Sequence, residues 1–149
     1  MSKQNRFHTR QPGNEGARVA LYDPVTGEDT GDWITIRSTD SDAYHLANTK
    51  AMRSLPEIQA MKDEEARVAA VRDVSFDIVT ALVADWSFDE PCTTENVKQF
   101  LQEAPQIKAT IDKLAGDRAL FIKSSSQPSD AGQSMTSDSA PVLEEAPQP

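Results

Sequence analysis

Between Ile78 and Ile122 the chain is cut into short pieces by its own chemistry. An apolar run from Ile78 reaches Trp86, a turn containing Pro91 follows, and Thr94 stands where the next helix should begin. Threonine is a good N-cap, and Glu95 in the first turn suits the positive end of the helix dipole. Val97, Phe100 and Leu101 then recur three and four residues apart, which is one face of a helix. Pro105 ends that segment and opens another, because proline is tolerated in a first turn and not in a helix interior. Ile107, Ile111 and Leu114 line up one turn apart, Gly116 suits a left-handed stop, and residues 117–122 form a last turn with Leu120, Phe121 and Ile122 packing back. The stretch reads as a small helical docking unit with no catalytic chemistry in it. Each polar residue in it reads as a cap, a turn or a solvated face.

Upstream, Arg18–Asp23 and Trp33–Arg37 read as strands rich in β-branched and aromatic residues, joined through a Pro24–Gly27 turn and an acidic connection carrying Glu28, Asp29 and Asp32. A lone hairpin is marginal in water, so this one must lie on the helices or pair with another chain, with Trp33 and Ile34 as the contacts. Residues 38–42 are dense in N-cap side chains and predict a short helix over 41–54. Pro56 should interrupt it and start the next. From Glu57 to Trp86 the spacing of Ile58, Met61, Val68, Val71, Ile78, Val79, Leu82 and Trp86 is helical, as one long helix or two bent near Val74 and Ser75. Its first half has only a thin apolar stripe, which is either core or a face for a partner. The fold class expected is mainly α: a small helical domain with an N-terminal β-hairpin and disordered termini.

Charge bounds the rest. Every Lys and Arg lies at or before Lys123, and the segment beyond holds Asp130, Asp138, Glu144 and Glu145, with no base and no aromatic residue. Such a segment buries too little to offset its ordering entropy, so 124–149 reads as a disordered acidic tail, with Val142 and Leu143 as its one short apolar motif. The formal net charge is −9, of which −4 lies in that tail, leaving −5 before it. An acidic chain repels phosphate backbones, so no nucleic-acid partner is expected. Residues 1–17 read as a flexible basic arm with Lys3, Arg6 and Arg10 and without the apolar core of a secretory signal. No apolar run is long enough to span a membrane, so no membrane partner is expected either. The domain boundaries are thus 1–17, 18–123 and 124–149.

No constellation nominates an enzyme or a cofactor. Cys92 is the only cysteine, which rules out an intramolecular disulfide and a thiolate zinc cluster and fits a reducing compartment. A nucleophilic role needs a base nearby, and the histidines, His8 and His45, belong to the arm and to the first helix. Asp40 and Asp42 invite a calcium reading but lack the remaining ligands of a calcium loop, so capping explains them better. Asp85, Asp89 and Glu90 around Trp86 read as a solvated acidic turn. Arg118, among apolar neighbours, is either paired with a carboxylate or stacked on Trp86.

The order of these marks has a counterpart. Trp86, then Thr93, Thr94, Glu95 and Asn96, then Pro105 and Ile107, then Arg118 and Phe121, together with Asp23, Pro24, Thr26 and Gly27 followed by Asp40 and Ser41, resembles the tail assembly chaperones of long-tailed bacteriophages. The likeness covers about residues 18–123. It implies a non-enzymatic protein of the infected host's cytoplasm, absent from the finished virion and without a cofactor. Its partners would be the tape measure protein, kept soluble by it, and the tail tube protein, with self-association as many copies coat the client. Family members are often also made as a longer frameshifted product, which would give the tail the role of a join. The contact residues expected are Trp86, Phe88, Phe100, Leu101, Arg118 and Phe121, any of which can instead be core. Rival readings are a minor structural protein of the virion, which would need more strand, and a helix-turn-helix regulator, which would need a more basic helix than 94–103 with its single Lys98.

Overall fold

The computed structural model describes residues 3–126. A 3-10 turn at Lys3–Phe7 precedes α1 (Arg10–Glu15), β1 (Ala17–Tyr22), β2 (Asp29–Ile36), α2 (Asp42–Gln59), α3 (Glu64–Ala81), β3 (Val83–Trp86), α4 (Thr94–Glu103), α5 (Pro105–Ala115) and α6 (Arg118–Ser126). The strands form one antiparallel sheet in the order β1-β2-β3. The mainly α class with a hairpin at the front is therefore correct, with one strand more than expected.

The hairpin follows local rules. Asp23 Oδ1 accepts from the amides of Val25 (2.8 Å) and Thr26 (2.9 Å), and Gly27 takes φ +77, the left-handed region its sequence position anticipates. Ile34 and Ile36 of β2 turn inward and are fully buried, while Trp33 faces the other way under the Arg18 guanidinium, 3.7 Å from the ring centroid. Gly16 is required where α1 meets β1: at φ +89, a Cβ there would stand 2.6 Å from the Ile36 carbonyl oxygen.

The third strand corrects the expectation that Val83–Trp86 continues a helix. Arg37, at the end of β2, donates its Nη1 to the carbonyls of Ala81 (3.1 Å) and Val83 (3.2 Å), and its amide donates to Leu82 (2.6 Å). The last carbonyls of α3 thus find partners on the sheet, and the chain leaves the helix to pair with β2, Trp86 opposite Ile34. Apolar periodicity alone does not separate a helix end from a buried strand. Pro56 does not break α2 either; it lies inside the last turns, and both it and Met52, four residues back, are exposed. The break falls at residues 60–63 instead, and α3 runs past Val74 and Ser75 to Ala81.

Part of the segment read as a flexible arm is built into this body. α1 packs on α6, Gly13 is buried, and Arg10 makes two bonds of 2.8 Å to the Asp42 carboxylate. At the other end, the tail expected from 124 begins inside α6; residues 127–149 and the Val142–Leu143 motif lie outside the described residues. The core between the sheet and the helices is made by Ile34, Ile36, Leu82, Leu101, Ile111 and Phe121, each at most 2% exposed.

Candidate functional site

The caps that set these elements also involve the polar residues weighed in the sequence. Ser41 caps α2, accepting from the Tyr44 amide (3.2 Å), and Thr93 caps α4, accepting from the Asn96 amide (3.1 Å), one residue before the expected Thr94. Gly116 is right-handed (φ −90), so α5 does not end on the left-handed stop expected. Asp40 accepts from Arg118 Nε (2.6 Å) and Nη2 (2.9 Å), which draws its carboxyl below the ordinary value; Arg10 does the same to Asp42. With both carboxylates taken by arginines, capping and pairing account for this turn, and no cluster of metal-ligating residues occurs among the described residues. Arg118 is thereby paired with a carboxylate and not stacked on Trp86. Burial, then Asp85, pushes the Cys92 thiol up, away from the thiolate a nucleophile needs.

Trp86, Phe88 and Phe100 come together as a ring cluster, with centroids 5.1 Å apart for Trp86–Phe88 and Phe88–Phe100 and 5.8 Å for Trp86–Phe100. Trp86 is buried and donates its Nε1–H to the Glu90 carbonyl (2.7 Å), which closes the turn after β3. Phe88 and Phe100 are half-buried beside it. Leu101 and Phe121 are buried in the core and Arg118 serves Asp40. Of the expected contact residues, then, Trp86, Leu101 and Phe121 hold the fold together and are not presented by the folded chain.

An open apolar surface lies between α3 and α5. The first half of α3 and one side of α5 face each other across a groove of about 1240 Å³. Val68, Ala69 and Phe76 line one wall, Pro105 and Ala109 the other, and Val68 and Val71 are 54% and 51% exposed. The Lys108 ammonium sits 5.0 Å from the Phe76 ring centroid, and Glu65, Arg72 and Asp112 stand at the rim. Lys98 of α4 bridges Asp73, which lines the groove, and Asp77 of α3 at 2.7 Å each; burial alone would lower its pKa, but the two carboxylates raise it. The thin stripe of α3 flagged Val68 and Val71 in the sequence. The opposite wall gave no signal, since Pro105 and Ala109 are ordinary helix residues until the fold sets them there.

An apolar groove between helices with a charged rim is the form of a helix-docking surface. Residues 10–114 match a family model described as phage tail assembly chaperone. The chain belongs to that family. The match includes both walls of the groove and ends before α6, so it leaves out Arg118 and Phe121. No curated protein and no solved structure matches the chain. Membership assigns the protein to phage tail assembly as a chaperone, a role of binding to tail proteins.

Proposed function

We propose that this tail assembly chaperone binds the tape measure protein of its phage, keeps it soluble, and helps recruit tail tube subunits while the tube is built. It acts in the host cytoplasm and is left out of the mature virion. The observation that supports this reading is the groove between α3 and α5. An aggregation-prone helical client needs its apolar stripe covered, and the groove offers apolar residues of α3 and α5 with charged residues on both helices beside them. Binding of this kind needs no nucleotide and no cofactor, because the apolar contact itself holds the client. Phe88 and Phe100, half-buried at the edge of the ring cluster, remain candidate contacts for the same client or for the tube subunit.

Co-expression with the tape measure protein tests the reading. Client that stays soluble and co-purifies with the chaperone supports it. Client that aggregates regardless, with this chain found in purified virions, contradicts it and favours a minor structural protein of the tail or head–tail connection.

A further inference from the structure

We propose that residues 142–146 of this chain lie back along β1 as a fourth strand of the sheet. β1 is an edge strand, bonded on one side to β2. The Ser87 amide donates to the Trp33 carbonyl, the Trp33 amide donates to Ser87 Oγ, and the Arg37 amide donates to the Leu82 carbonyl. Trp33 and Arg37 thus turn their main-chain groups toward β3, and Ile34 and Ile36 turn theirs toward β1, opposite Val19 and Ala17. Arg18 and Ala20, between those partners, point their amides and carbonyls out of the sheet. No other element among the described residues bonds to them. An edge of this kind accepts an added strand.

The side chains along the edge suit this segment. Val19 and Leu21 are half-buried against the core on the inner face, while Arg18 is exposed on the outer face, over Trp33 and with no carboxylate partner among the described residues. Pro141 and Pro147 bracket Val142, Leu143, Glu144, Glu145 and Ala146. Proline biases the residue before it to extended backbone and has no amide for a ladder, so the bracketed segment fits a short outermost strand that takes no further neighbour. Side chains alternate between faces, so the register that sets Leu143 beside Val19 and Leu21 also sets Glu144 beside Arg18. Position favours the same segment. α6 packs on β1 and ends at Ser126, next to the edge to be covered. Residues 127–141 reach about 50 Å when extended, and such a tether raises the segment's effective concentration to the order of mM. The pairing involves neither the groove nor a client.

Amide hydrogen exchange of the full chain, read residue by residue by NMR, tests it. The Arg18 and Ala20 amides should exchange on the order of tenfold more slowly in the wild type than in Leu143→Pro, which removes a ladder amide from the added strand. Glu144→Arg, which sets like charges together, should lose part of that protection. The Val19 amide, bonded to β2, should exchange alike in all three and report an intact sheet. Arg18 and Ala20 exchanging as fast in the wild type as in Leu143→Pro, or as slowly in Glu144→Arg as in the wild type, overturns the proposal. Protection that grows with protein concentration overturns it as well, since that marks a second copy on the edge. No client is present, so the co-expression experiment is judged on its own.

Discussion

At Asp40 the two ends of the described chain are tied to one turn. Its carboxylate holds Arg118 of α6, Asp42 two residues on holds Arg10 of α1, and the Thr39 amide donates to the Ala115 carbonyl at the end of α5 (2.9 Å). Since the folded-state value of Asp40 lies below the ordinary 3.8, its contribution to stability is complete above that pH and is lost as pH falls through the depressed value. Asp40→Asn should therefore melt lower than wild type at neutral pH, and the gap should close in acid, as thermal melts across pH will show. Thr80 supplies the opposite case. Its hydroxyl is buried and has no hydrogen-bond partner among the described residues. Thr80→Val, which keeps the shape and removes the orphan group, should raise stability by about 1 kcal/mol in urea unfolding.

Among the elements, caps divide what local sequence carries from what tertiary contact decides. Thr93→Ala should destabilise by about 1 kcal/mol through loss of its bond to the Asn96 amide, while Thr94→Ala, already inside the helix and exposed, should change stability little. Chemical denaturation of the two variants distinguishes them. The starts of α2, α4 and α5 and the hairpin turn were legible because Ser41, the Thr93–Thr94 pair, Pro105 and Asp23 act on amides a few residues away. β3 was not, because the group that ends α3 is Arg37, more than forty residues upstream. The continuation of α2 through Pro56 was hidden for a related reason: whether a lost helix bond matters depends on solvent access at that turn. Trp86 was legible as important and misread in role. Trp86→Ala should cost about 3–5 kcal/mol and unfold much of the protein, so it reports on the core and not on the client.

The whole molecule places a small three-stranded sheet and a ring cluster behind helices that leave an apolar groove open. That distribution separates stability from the proposed binding: Trp86, Leu101 and Phe121 face inward, while Val68 and Val71 face the groove between α3 and α5. The candidate site was half legible in the sequence, through the thin stripe of α3, and its other wall exists only once α5 is folded against it. The direct test compares Val68→Asp in the groove with Val25→Asp at the hairpin tip, where the valine is 90% exposed. Each is co-expressed with the tape measure protein, and the co-purified client is measured. With both variants folded, Val68→Asp is expected to lose the client and Val25→Asp to retain it. Retention by Val68→Asp at the wild-type level would contradict the groove as the client's docking surface.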